Sequence, residues 1–445
     1  MSLHKKLMQR AQNGNPIRVG VIGSGKFGSM YLSQIPFTPG IHLVGLADLD
    51  PQKAKDALRR VGWKPEQFDA TTLEQAYTSG KTAIINDAQK LLAFEGIDII
   101  VEATGSPYAG VLHALSAIDH GKHIVMVNVE ADALAGPLLA KKAQAAGVIY
   151  SFAYGDQPAL IMELVDWART AGFEVVCAGK GTKYLPQYHD STPETVWDHY
   201  GFTQAQVAEG DFNAQMFNSF LDGTKSALEM SVVANACHFH PQVEGLQFPP
   251  CGVDDLARIL RPQDEGGILS RRNTVEVASS LERDQRPVFR DLRWGVYVVL
   301  EAPTDYVRKC FSEYGLITDP SGRYTAMYKP YHLIGLEVGI SVASIALRGE
   351  ATGCTDVFNA DVVATAKRDL APGEMLDGEG GSTVYGKLTP ASMSISHASL
   401  PIGLASKMKL KHNIQKGHPV SWNDVEYDAN NPVIKIRRTM EAGQY

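Results

Sequence analysis

Six short apolar runs rich in β-branched residues recur through the first third of the chain, at residues 17–22 (IRVGVI), 41–47, 81–86, 97–103, 123–127 and 148–152. Helix-compatible stretches separate most of them. Runs that are apolar throughout, rather than alternating, mark strands buried on both faces. Their alternation with helices predicts a parallel sheet covered on both sides. Residues 1–155 therefore read as one doubly wound α/β domain.

The texture changes after Gly155. Residues 158–168 read as a helix and 173–178 as an apolar strand, while the following GKGTKYLPQYHDSTPE is too rich in Gly, Pro and polar residues for regular structure. Residues 213–236 have the pattern of a single long helix. A Pro-, Arg- and Gly-rich region follows, interrupted by the strand-like WGVYVVL at 294–300. Residues 331–347 form another helix, placed to return and pack on the first domain. From about 358 the chain breaks into short segments punctuated by turns, the pattern of a small β-rich domain. The expected division is a dinucleotide-binding Rossmann domain over 1–155, an α+β catalytic and oligomerisation domain over 156–355, and a small β-rich domain over 356–445.

Composition narrows the function classes. With 445 residues the chain exceeds a single compact core, and 44% hydrophobic with 20% charged residues describes an ordinary globular protein. A net charge of -7 offers no basic surface for nucleic acid. No apolar run approaches the roughly 20 residues of a membrane span. The polar N-terminus lacks the apolar core of a signal peptide, so a cytoplasmic location is expected. The five cysteines are far apart and form no CxxC pair, which fits free thiols rather than a disulfide framework or zinc knuckle.

At the junction of the first run and the first helix stands Gly23-Ser24-Gly25-Lys26-Phe27-Gly28, a GxGxxG sequence. Glycines there permit a tight turn, backbone approach to a pyrophosphate and close helix packing. Asp48 ends the second run, where a carboxylate would bind an adenosine ribose. Its charge favours NAD over NADP; Lys53, Arg59 and Arg60 on the next helix would soften that preference. Thr104 and Gly105 follow the fourth strand at the carboxyl edge of the sheet, beside the expected nicotinamide. Asn128 ends the fifth strand on the same edge. It either bonds the ribose or carboxamide, or caps the helix that follows.

Hydride transfer to a carbonyl needs a cation or acid near the oxygen that becomes negative. Two stretches qualify. In GKGTKY the glycines would let backbone N–H groups face an anion, with Lys180 and Lys183 adding charge. On the 213–236 helix, Asn218, Asp222, Lys225 and Glu229 are spaced to share one face, and a buried Asp222–Lys225 pair would relay a proton. Tyr184, His189, His238, His240, Arg323 and Tyr324 are further possible substrate contacts. Nothing in the sequence forms a Ser/His/Asp triad or a P-loop.

With these features in hand, the first ~350 residues resemble homoserine dehydrogenase: GKGTKYL stands where that family has its Gly-Thr loop, and DGTKSALEM is similar to its Asp-to-Lys helix. The C-terminal AKRDLAPGEML and KLKHNIQKGHPV resemble the SAF domain. The combination resembles the deoxyxylulose 5-phosphate reductoisomerase-like enzymes of some bacteria. That resemblance implies conversion of 1-deoxy-D-xylulose 5-phosphate to 2-C-methyl-D-erythritol 4-phosphate for isoprenoid synthesis, with NADP(H), a divalent metal (Mg or Mn) and inhibition by fosmidomycin. It also implies a phosphorylated sugar substrate and a homo-oligomer. Both homoserine dehydrogenase and the ordinary reductoisomerase carry Asn-Lys where this chain has Asn128-Val129. The cation is therefore expected from Lys183, Lys225 or a metal, with Asp222 orienting or relaying a proton. No metal-ligand motif stands out, and Glu130, Asp222 and Glu229 are the carboxylates considered for one. Two other readings stay open: a dehydrogenase of another hydroxy or sugar acid or of homoserine, and a dinucleotide-binding regulator without turnover.

Overall fold

The computed structural model describes residues 2–209 and 212–443. The chain forms two compact units. One contains the residues up to Leu160 together with Leu333–Asp356; the other contains Ile161–His332 and Val357–Glu441.

The first unit is built on a six-stranded sheet: β1 (Ile17–Ile22), β2 (Ile41–Ala47), β3 (Ala83–Ile85), β4 (Ile99–Glu102), β5 (His123–Met126) and β6 (Tyr150–Phe152). The spatial order is β3-β2-β1-β4-β5-β6 and every pairing is parallel. This is a doubly wound Rossmann sheet whose strand order reverses between β1 and β4. Each of the six apolar runs becomes a strand, because only strands flanked by helices on both faces bury side chains of both parities. The helix Gly339–Arg348 belongs to this unit, where Val342, Ala343 and Ile345 join Val19, Val21, Leu43 and Val101 in one core. It starts later than its apolar pattern suggests, since Gly335 takes a positive φ of 81° in the preceding turns.

The second unit carries a mixed sheet of β7 (Glu174–Thr182), β8 (Thr274–Ser279), β9 (Val296–Glu301) and β10 (Tyr324–Lys329) in the order β10-β9-β7-β8. Only β7 and β8 run parallel. One element differs here from the sequence reading. The GKGT stretch, expected as an anion-binding loop, is the end of β7. Its backbone groups serve the sheet, with the Gly181 N–H donating to Gly295 at 3.0 Å. A Cβ at Gly179 would fall 1.8 Å from the Glu276 carbonyl oxygen, so that glycine permits close strand approach rather than an anion cradle.

The expected long helix over 213–236 is two helices, Ala214–Leu221 and Thr224–Cys237. They part at Gly223, whose φ of 89° lies in the left-handed region that only glycine adopts cheaply. Every residue of Thr224–Cys237 is buried, so its polar side chains must find protein partners. The C-terminal strands β11 (Ala360–Ala366) and β12 (Val384–Pro390) pair antiparallel and supply some of them. Gly386 N–H donates to Thr224 Oγ1 at 2.8 Å, and Asn235 Oδ1 accepts from the N–H groups of Asn359 and Ala360. A two-residue pair, β13 (Lys409–Leu410) with β14 (Val425–Glu426), and the helix Pro432–Glu441 complete the unit. No helix among the described residues is long and apolar enough to cross a membrane.

Candidate functional site

In the first unit the glycine loop lies at the point where the strand order reverses. The helix Lys26–Gln34 begins at Gly25 without a side-chain cap, which leaves its first N–H groups for an anion. A Cβ at Gly28 would fall 2.2 Å from the Gly23 carbonyl oxygen, whereas Gly25 and Gly105 have nothing within 4 Å of theirs. The loop is thus tight on its protein side and open on the other. Gly25 and Lys26 are exposed, and Phe27 packs against the core.

Asp48 secures the loop. Its Oδ2 accepts the Ser24 N–H at 2.8 Å and the Ser24 hydroxyl at 2.5 Å, and its Oδ1 accepts the Asp50 N–H at 3.0 Å. Burial raises its pKa, but the Ser24 hydroxyl, the two backbone N–H groups and the charge of Lys53 more than offset this and hold it below the ordinary value. The arrangement fits a dinucleotide: open glycines and uncapped N–H groups for pyrophosphate, with an ionised carboxylate at the end of β2 for the ribose.

At the ends of β4 and β5, Thr104 and Asn128 come together, with Asn128 Nδ2 3.4 Å from Thr104 Oγ1. Asn128 is 2% exposed. Its Oδ1 accepts the Ala131 N–H at 3.0 Å and its Nδ2 donates to the Ser106 carbonyl at 2.8 Å. Of the two roles open to it, the structure shows the cap of the helix Val129–Ala145. Val129, the first residue of that helix, is buried. Sequence reasoning missed the group beneath: Glu102, fully buried, whose Oε1 accepts the Thr104 hydroxyl at 2.6 Å and faces His113 Nδ1 at 3.2 Å. Its signal was a lone carboxylate at the end of an otherwise apolar strand.

In the second unit, Lys180 projects from β7 at 7% exposure and forms an ion pair with Glu229 of the helix Thr224–Cys237. Lys225, one turn before Glu229, is also buried and partnered. His332 feels the charges of both Lys180 and Glu229, and burial lowers its pKa. Its Nδ1 donates to the Trp294 carbonyl at 2.8 Å, which leaves Nε2 as the acceptor nitrogen of the neutral ring. Nothing local in the sequence pointed to His332, because its neighbours come from distant strands and helices.

Lys183 lies apart from this cluster. Its ammonium donates to the His199 carbonyl at 2.5 Å and sits 5.4 Å from the Tyr200 ring centroid; burial, then Arg293, lowers its pKa. Asp222 does not pair with Lys225 as one continuous helix would allow. It lies in the break between helices, accepts the Thr224 N–H at 2.9 Å and forms an ion pair of 2.8 Å with Lys367. Burial raises its pKa against the pull of Lys367. These contacts bear on the implied divalent metal. Asp222 and Glu229 are each matched to a lysine, and no three His, Cys, Asp or Glu side chains converge among the described residues. As placed, Asp222 and Glu229 do not fit a divalent cation.

Comparison with known proteins assigns two regions. Residues 19–153 match the family model described as homoserine dehydrogenase, NAD binding domain, and residues 155–338 match that described as oxidoreductase DRL, catalytic domain. Both matches are to domains of oxidoreductase families. No curated protein matches the chain. Among solved structures, myo-inositol dehydrogenase from Lactobacillus casei is 16% identical, over 41% of this chain and 50% of its own, with a TM-score of 0.29. A putative NADPH-dependent oxidoreductase from Desulfitobacterium hafniense is 10% identical over 76% of this chain and 89% of its own, with a TM-score of 0.39. The match to the inositol dehydrogenase thus spans only half of that enzyme's length.

Proposed function

We propose that this protein transfers hydride between a nicotinamide dinucleotide, NAD(H) in preference to NADP(H), and the carbonyl or hydroxyl carbon of a small sugar-like or hydroxy-acid substrate. The observation that carries the chemical step is the buried Lys180–Glu229 ion pair. The bound nicotinamide would supply or accept the hydride. Lys180 would meet the substrate oxygen, donating a proton from Nζ as negative charge develops there. A charge-assisted hydrogen bond in a dry site is worth far more than the same bond in water. Glu229 keeps the ammonium aimed. Lys180 thereby takes the part of the lysine missing after Asn128, while Lys183, turned to a backbone carbonyl, becomes a weaker choice than its position in the sequence suggests. Asp222, committed to Lys367, is not used as a proton relay.

The narrower reading, reductoisomerisation of 1-deoxy-D-xylulose 5-phosphate, needs a skeletal rearrangement that a metal normally supports by holding vicinal oxygens. The lysine-matched carboxylates favour simple dehydrogenation instead. Nicotinamide absorbance followed over a panel of sugar acids, polyols, homoserine and deoxyxylulose 5-phosphate, the last with Mg or Mn, separates the two. On the substrate turned over, Lys180→Met should lower kcat by about 10²- to 10³-fold and leave the KM for cofactor unchanged. Wild-type turnover by that variant would remove Lys180 from the mechanism. Metal-dependent formation of methylerythritol phosphate would replace dehydrogenation by reductoisomerisation.

A further inference from the structure

The helix Thr224–Cys237 has a second functional face. At roughly 100° per residue, Ala227 points about 200° away from Lys225, and there it borders a pocket of about 210 Å³. His189, Glu244, Phe248, Tyr385 and Lys387 supply much of the remaining wall. The aromatic part is rigid: Phe248 stacks on Tyr184 with ring centroids 3.9 Å apart, and His189 lies 4.6 Å from Tyr385. His189 contributes shape rather than charge. Its Nδ1 donates to the Asp222 carbonyl at 2.7 Å, its Nε2 accepts the Tyr184 hydroxyl at 2.9 Å, and burial lowers its pKa.

Three polar groups on this wall are not used by the fold. Among the described residues, the Lys387 ammonium and the Glu244 carboxylate make no ion pair or hydrogen bond, and the Tyr385 hydroxyl makes no hydrogen bond. Burial pushes the Tyr385 pKa up to about 12, so the phenol remains a neutral donor. The Lys387 stem passes Gly245, the neighbour of Glu244; a Cβ at Gly245 would lie 3.5 Å from Lys387 Cε. Opposite charges thus border one small space without neutralising each other, beside an apolar floor. A simple anion would satisfy Lys387 and be repelled by Glu244, and a simple cation would meet the reverse.

We propose that this pocket binds a small zwitterion of the α-amino acid class, with its carboxylate on Lys387 and the Tyr385 hydroxyl, its ammonium on Glu244 and an apolar side chain against Phe248 and Ala227. The volume is below that of drug-sized sites, which start near 300 Å³, and suits a ligand of about ten heavy atoms. Because the pocket and the Lys180–Glu229 pair lie against opposite faces of one helix, the ligand is an effector rather than the substrate.

Isothermal titration calorimetry on the full chain tests this without any assay of turnover. The probes are the common L-amino acids one at a time, with inorganic phosphate as the anion-only and methylammonium as the cation-only control. At least one apolar amino acid should bind, and Lys387→Met and Glu244→Gln should each weaken it about tenfold or more. The melting temperature of both unliganded variants should match wild type, since neither side chain is used by the fold. Absence of binding by every amino acid at millimolar concentration overturns the proposal. So does binding that survives both substitutions, or phosphate binding that equals the amino acid's and is indifferent to Glu244→Gln.

Discussion

Asp48 holds the glycine loop through Ser24 and presents a fixed negative charge where an adenosine ribose would lie. Those two tasks make a single substitution informative. In Asp48→Ser a hydroxyl remains for the ribose while the charge is gone. The ratio of kcat/KM for NADP(H) to that for NAD(H) should therefore rise by about 10- to 100-fold, one to two steps of about 1.4 kcal/mol each. An unchanged ratio in steady-state kinetics would show that the carboxylate only clamps Ser24. This residue was legible in the sequence because its role follows from position on a recognisable strand-turn-helix unit. Lys180 was legible as a charge but not as a partner. Its ion pair with Glu229 joins a strand to a helix far along the chain, and residue spacing carries no record of such a meeting. Lys183, three residues further on and equally basic in the sequence, is turned instead to His199.

At the level of elements, the parallel sheet could be read almost strand by strand, since uniformly apolar runs have few other stable uses. Helix ends were harder, because they depend on single backbone conformations. Apolar and polar spacing alone ran one helix through Gly223, where a left-handed φ ends one helix and begins another; the break carries Asp222 off the face it would otherwise share with Lys225 and Glu229. Asn128 shows the same dependence with the opposite outcome. Its side chain caps the buried helix Val129–Ala145 and ties that helix to Ser106. Asn128→Ala should cost about 1–2 kcal/mol in urea unfolding, with Asn128→Asp recovering the part that belongs to the cap. The KM for NAD(H) should stay near wild type in Asn128→Asp. A large rise in that KM with no loss of stability would instead make Asn128 a cofactor ligand.

Across the whole chain, the hardest relation to foresee was the use of the C-terminal region by the rest of its unit. Lys367 sends its ammonium to the Ser191 carbonyl at 2.7 Å, the Gly381 carbonyl at 2.6 Å and the Asp222 carboxylate at 2.8 Å. The two carbonyls accept hydrogen bonds from the buried ammonium, and Asp222 faces it as the opposite charge. The contact joins the end of β11, the segment before β12 and the helix break, so a charge from the C-terminal region compensates one buried near the middle of the chain. Desolvating both ions offsets much of their attraction, and the pair as a whole adds little net stability. Removing one partner is different, because the other remains buried and uncompensated. Lys367→Met should therefore lose about 3–5 kcal/mol, while Lys367→Met combined with Asp222→Asn, which keeps the acceptor for the Thr224 N–H, should regain half or more of it in urea unfolding. Equal losses in the single and double variants would mean that the Ser191 and Gly381 carbonyls, rather than Asp222, are what the ammonium serves. Recovery would mean that the loss in the single variant comes from leaving the Asp222 carboxylate buried and uncompensated, and that packing rather than the ion pair holds the C-terminal strands in this unit.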